Sequence, residues 1–155
     1  MTPGTRPGGL TAFAIINFVW AAMSLLGALS AVAMPLVFEH VPTEKMPEKD
    51  RQEFEKVQEI LAQPGVQFLG AMDFVTAALL VISGVGYLKQ KRIMGRLIGN
   101  LYALLAVTLA VVGFQILDIE MGFALAKELG FIIELVYPVL TLILLNTSFR
   151  DDFPN

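Results

Sequence analysis

No cysteine occurs among the 155 residues, which excludes a disulfide framework, a thiol nucleophile and a thiolate metal site, and removes the usual sequence marker of redox compartment. The single histidine, His40, stands beside Glu39 and cannot supply the imidazole pair of a typical histidine metal site. At the edge of an apolar run, it reads as an interfacial side chain without a role; pH sensing is the sharper alternative. Charge is scarce as well, at 16% of residues, and 11 basic against 14 acidic side chains give a net −3. That balance excludes a basic surface dedicated to nucleic acid. No Lys-Ser/Thr pair follows Gly84-Val85-Gly86 or Pro64-Gly65, so neither is a phosphate loop. Ser24, Ser30 and Ser83 have no basic neighbour in sequence; hydroxyls in such apolar runs bond the carbonyls of their own helix. No enzyme constellation, metal or cofactor is expected.

What remains is apolar. Hydrophobic residues make up 55% of the chain and the mean hydropathy is +0.67, too high for a soluble domain of this size. Charge-free runs cover Pro7–Phe38 (32 residues), Leu97–Leu117 (21), Phe74–Leu88 (15) and Leu135–Phe149 (15). The first two are long enough to span a bilayer unaided. The pattern predicts an all-α, single-domain integral membrane protein: a four-helix transmembrane bundle with spans near 10–38, 66–88, 95–117 and 123–145, and a loop at 39–65 carrying a short amphipathic helix.

The spans follow from local signals. Met1–Gly9, rich in Gly and Pro, reads as a leader without structure. Ala31-Val32-Ala33 resembles a signal-peptidase site, but the apolar run before it exceeds the usual roughly 7–15 residues, so a retained first helix is expected. Glu39–Gln63 holds seven acids and four basic residues. Within it, Pro47 suits a helix start, Glu48 and Asp50 suit the positive end of the helix dipole, and Phe54, Val57 and Leu61 recur at i, i+3, i+7. A helix is predicted at 47–62. Its Phe54/Val57/Ile60/Leu61 side is either a docking face toward membrane or neighbour, or the dry edge of a solvated connector. Lys89–Arg92 ends the second span, Asp118–Gly122 forms a turn, and Pro138 predicts a modest kink in the fourth span.

Orientation comes from the basic residues flanking the spans. Six lie on the side of the termini and the 89–96 loop, five on the other. Four of the six crowd into one tight loop, whereas four of the five are diluted among acids, so both termini are placed in the cytoplasm. The Lys89/Lys91/Arg92/Arg96 cluster serves as that topology signal, or attracts anionic head groups. A weak internal echo sets Asn17 against Asn100 and Asp73 against Glu134, as two hairpins of one plan would.

Val81-Ile82-Ser83-Gly84-Val85-Gly86-Tyr87-Leu88-Lys89, then Gly95-Arg96, Asn100-Leu101-Tyr102-Ala103, Leu135-Val136-Tyr137-Pro138-Val139-Leu140 and Leu144-Leu145-Asn146 resemble a group of small bacterial four-helix membrane proteins of unassigned function. The resemblance covers about half the chain and implies a four-span bacterial inner-membrane protein. It carries over no catalytic or binding residue.

Two features stand out as candidate sites. Gly95 and Gly99 form a GxxxG that lets another backbone approach, read as packing on helix one or two in preference to a dimer contact. Asp73 and Glu134 are carboxylates inside spans, where a charge costs at least about 2.5 kcal/mol on insertion scales and is normally turned inward. Each lies roughly 7–10 residues from the outer helix end, about 10–15 Å deep. With Tyr137 one turn from Glu134, they are glue bonded to Asn17, Thr76 or Tyr137, or a site that shares a proton or holds a cation, or are exposed at a thin outer interface. The function expected is that of an accessory or interaction subunit without chemistry of its own, its partners being membrane lipids and other membrane subunits or itself. The alternative is a proton- or cation-conducting subunit using Asp73 and Glu134.

Overall fold

The structure is a computed structural model that describes residues 8–117 and 124–153, with side chains at 8–115 and 131–153. Residues 1–7 of the expected leader, the turn at 118–122 and the side chain of Lys127 lie outside these. All regular structure among the described residues is helical: α1 Gly8–Phe38, α2 Glu48–Ala62, α3 Pro64–Leu88, α4 Ile98–Leu117 and α5 Ala124–Asn146. Short 3-10 turns stand at Thr43–Lys45 and Arg150–Asp152, and a π-helical turn at Ile93–Leu97 leads into α4.

Three segments, Gly8–Phe38, Pro64–Leu88 and Ile93–Gln115, are long and apolar enough to cross a membrane. The apolar part of α5 is shorter, Phe131–Asn146, and α5 runs through Pro138 as one helix. At 31 residues, α1 measures about 46 Å at about 1.5 Å per residue, well over the roughly 30 Å of a bilayer core.

The helices pack in sequence order: α1 along α3, α3 on α4, α4 on α5. At the end of the bundle that holds the α3–α4 turn, Leu10, Ala14, Tyr87, Leu145 and Phe153 are buried together, with Phe13 and Phe149 against them. Ala21, Leu80, Tyr102, Ala103 and Tyr137 form a second cluster midway along. Towards the α2 end the buried residues of α1 and α3 are small, Ala28 and Gly70, so the packing is dense at the turn end and thins toward α2.

The ends of α2 and α3 have local causes. The amide of Arg51 bonds the Pro47 carbonyl at 3.0 Å, and Gln67 donates to the Leu61 carbonyl at 2.7 Å, satisfying the last turn of α2. Exposed pairs Lys49–Glu53, Arg51–Glu48 and Arg51–Glu55 lie one turn apart along α2 and add a few tenths of a kcal/mol each at most, of order ~0.3. At the end of α3, Gln90 adopts a positive φ of 50°; the Lys91 amide reaches back to the Gly86 carbonyl at 3.0 Å and the Gln90 amide to Tyr87 at 3.3 Å. This is a Schellman turn with glutamine in the left-handed position.

The third span differs from expectation at its start. Helix was predicted from Gly95; instead the chain makes one π-helical turn there. Gly86 and Gly95 lie backbone to backbone: a Cβ on Gly86 would fall on the Gly95 amide and the Met94 carbonyl carbon, and 2.6 Å from the Gly95 Cα. That tertiary contact leaves no room for a side chain on α3 at this point.

Candidate functional site: the interior polar knot

Asn17 is wholly buried midway between the two apolar clusters. Its Nδ2 donates to the Ser83 Oγ at 2.6 Å and to the Leu80 carbonyl at 3.3 Å, and its Oδ1 accepts from the Tyr137 hydroxyl. One amide thereby joins α1, α3 and α5. Ser83 also donates to the Leu80 carbonyl at 3.1 Å, and Thr141 donates to the Tyr137 carbonyl at 2.8 Å. Tyr87, wholly buried, brings its hydroxyl beside Asn17 and Ser83 without completing a hydrogen bond. An aromatic column braces the knot: Phe13 and Trp20 stack on Tyr137, with ring centroids at 5.9 and 6.1 Å and interplanar angles of 30° and 20°.

The expected trio of Asp73, Glu134 and Tyr137 therefore divides. Tyr137 gives its hydroxyl to Asn17 and serves the knot, not the carboxylates. Asp73 is half-buried on α3, and its Oδ2 approaches Gly27 of α1 so closely that a Cβ there would stand 3.1 Å away. Glu134 shares the inward line of α5 with Tyr137 and Thr141, at i, i+3 and i+7, yet is exposed.

The GxxxG glycines pack within the chain. Gly95 meets Gly86, Tyr87 and Phe153, and Gly99 lies against the Tyr87 hydroxyl and Leu145, so their neighbours are α3, α5 and the tail. Gly84 and Gly86, rejected above as a phosphate loop, have the same packing use: a Cβ on Gly84 would stand 3.0 Å from Phe18 of α1. Gly70 likewise fits against Ala31.

The echo between hairpins does not extend to environment. Asn100 is half-buried at the turn end, where it exchanges hydrogen bonds with Asn146 at 3.3 and 2.9 Å while Arg96 donates to the same Asn146 oxygen at 3.3 Å. Asn17 instead links three helices in the interior.

On α2, Phe54 sits edge-on to Phe38 of α1, centroids 4.7 Å apart at 64°. Leu61 is half-buried and Val57 remains 45% exposed. The apolar edge is thus anchored at one end by the chain's own first helix. Phe54→Ala should remove the anchor and speed amide exchange across Glu48–Ala62 by about tenfold, an aromatic pair being worth about 0.5–1.5 kcal/mol beyond its area, whereas Val57→Ser should change little. Exchange in hydrogen–deuterium mass spectrometry that is equally fast in wild type and Phe54→Ala would show α2 to be unanchored.

On the far side of the α1–α3 pair, away from Trp20, a shallow apolar groove of about 590 Å³ is floored by Ala21, Ala22, Ala77 and Ala78 and walled by Phe18 and Phe74. Compared with protein-family models, curated proteins and solved structures, the chain finds no match.

Proposed function

We propose that the protein is a non-enzymatic, integral accessory or interaction subunit of a bacterial inner membrane, crossing it four times through α1, α3, α4 and α5. Both termini and the 89–96 loop then face the cytoplasm, and α2 lies outside. The carrying observation is how the bundle divides its chemistry. Its buried amide and two hydroxyls at the knot are engaged in joining its own helices, while α1, with only five buried residues, presents Ile15, Val19, Met23 and Leu26 outward. A first helix held along one side only, and longer than a bilayer requires, is suited to lie against another membrane helix as well as lipid. The membrane assignment rests on three segments long and apolar enough to cross; the orientation rests on the dense basic loop.

Two measurements test this reading. A photo-crosslinking residue at Leu26, which is 65% exposed, should capture a defined membrane protein or a second copy in native membranes; capture of lipid alone would end the interaction reading. For topology, single cysteines at Lys49 and Lys91 have a cysteine-free background. An impermeant maleimide applied to spheroplasts should label Lys49→Cys and spare Lys91→Cys, and the reverse pattern would invert the orientation.

A further inference from the structure

The turn between α3 and α4 carries Lys89, Lys91, Arg92 and Arg96, and the structure uses them unequally. Arg96 is half-buried and donates to the Asn146 Oδ1 at 3.3 Å. Lys89, Lys91 and Arg92 are exposed. On α2, Lys49 and Arg51 are paired with glutamates one turn away, whereas among the described residues Lys89 and Lys91 have no ion pair. Phe153, seated on Gly95 and Tyr87, brings Asp151 and Asp152 to this end, yet neither pairs with a lysine. With Arg150, five basic residues against these two acids leave the end positive. The turn is also held firmly: the Lys89 amide bonds the Val85 carbonyl at 3.0 Å, the Lys91 amide the Gly86 carbonyl at 3.0 Å, and the Gly95 amide the Lys91 carbonyl at 2.7 Å. Both ammonium groups therefore stand on fixed backbone, which lowers the cost of ordering them around a ligand.

The surface that follows the charge selects its counterpart. Ile93 and Leu97 are 68% and 61% exposed and come directly after the basic residues. Leu97, Leu101, Leu104 and Val111 then recur along α4 at i, i+4, i+7 and i+14, on one face, and all are exposed. Thr108 on the same line returns its hydroxyl to the Leu104 carbonyl at 2.9 Å, so the line offers no free polar group. Ile93 to Leu104 measures about 16 Å at about 1.5 Å per residue, the depth of one leaflet of a roughly 30 Å core. A free phosphate or an acidic protein segment would engage the lysines and leave the stripe; a zwitterionic lipid would cover the stripe and leave the lysines uncompensated. A lipid with a net negative head group satisfies both. We infer that the α3–α4 turn and the outer face of α4 form a binding site for an anionic phospholipid, its head group at Lys89 and Lys91 and an acyl chain along Ile93, Leu97, Leu101 and Leu104. The inference rests on α3 and α4 crossing the membrane, and holds whichever way the bundle faces and whether or not α1 meets another protein.

Native mass spectrometry of the full chain counts the lipids it keeps on release from detergent. From micelles doped equally with dioleoyl phosphatidylglycerol and dioleoyl phosphatidylcholine, the chain should retain the former in at least about tenfold preference. Lys89→Gln and Lys91→Gln should each lower that preference about fivefold, as expected for one basic residue near an anionic head group, and the double variant should abolish it. Lys45→Gln with Lys56→Gln, exposed positions in the acidic stretch, should leave it unchanged. Melting in neutral micelles verifies that each variant folds, and should the double variant not fold, Lys91→Gln alone decides. Equal retention of the two lipids by wild type, an undiminished preference in a folded lysine variant of the turn, or an equal loss in the Lys45/Lys56 variant would each overturn the assignment. So would displacement of the lipid at matched concentration by inorganic phosphate, which marks a free-anion site, or by a polyglutamate peptide, which marks a protein-docking one.

Discussion

Gly86→Ala should destabilise the protein by about 2–3 kcal/mol, the upper part of the range for inserting atoms into a filled site. Helix propensity alone predicts the opposite, because alanine in a helix interior outperforms glycine by about 0.5–1 kcal/mol. The contact decides against propensity: a Cβ on Gly86 would meet the backbone of Met94 and Gly95. Backbone cannot rotate aside, and this backbone is already fixed by the Lys91-to-Gly86 and Gly95-to-Lys91 hydrogen bonds at 3.0 and 2.7 Å. The substitution therefore pushes the π-helical turn off α3 and loosens the dense end of the bundle. Gly113→Ala is the control, since its Cβ would find Leu69 at ordinary van der Waals distances of 3.7 and 3.8 Å; it should be neutral or stabilising by up to about 1 kcal/mol. Reversible unfolding in mixed micelles gives both values, and a Gly86→Ala protein as stable as Gly113→Ala would refute the backbone contact.

Asn17→Leu should cost about 2–3 kcal/mol in the same assay. Leucine fills much of the volume, but the Ser83 hydroxyl loses a donor, the Leu80 carbonyl loses one of its two side-chain donors, and the Tyr137 hydroxyl loses its acceptor, all in a buried interior. A buried polar group left without a partner costs about 1–3 kcal/mol, and the lower averages measured between membrane helices, about 0.6 kcal/mol for a pair, apply to single contacts, not to a residue that serves three helices. Asn100→Leu, at the exposed end of the bundle, should cost under about 1 kcal/mol. If the two substitutions prove equally mild, the interior knot is not what ties α1 to α5.

The comparison of Asn17 with Asn100 marks how far the chain could be read in advance. Charge placement located the helices: Glu48–Ala62 falls within one residue of the expected 47–62, and Lys89–Arg92 does end α3. These are local signals, carried by charge, proline and 3.6-residue periodicity. The partners of Asn17 stand 63, 66 and 120 residues away, and nothing near position 17 names them; two asparagines in similar apolar surroundings looked equivalent and are not. Glycines at 95 and 99 signalled a close approach, but Gly86 as the other surface, and the π-helical turn it brings with it, depend on a tertiary contact. The inward line of α5 was legible from spacing. That Glu134 on that line would be exposed was not, because it depends on how distant helices pack around it.

The sequence separations at the knot also set an order of assembly. Asn17 leaves the ribosome 120 residues ahead of Tyr137, and at synthesis rates of about 5–20 residues per second that interval lasts about 6–24 s. Through it α1 is made but its amide oxygen has no phenol to accept from, and the knot closes only when α5 emerges. A chain truncated before Tyr137 thus retains three complete apolar helices and an open amide in the first of them. The arrival of α5 is reported, at the centre of the bundle, by a single hydrogen bond from Tyr137 to an amide made 120 residues earlier.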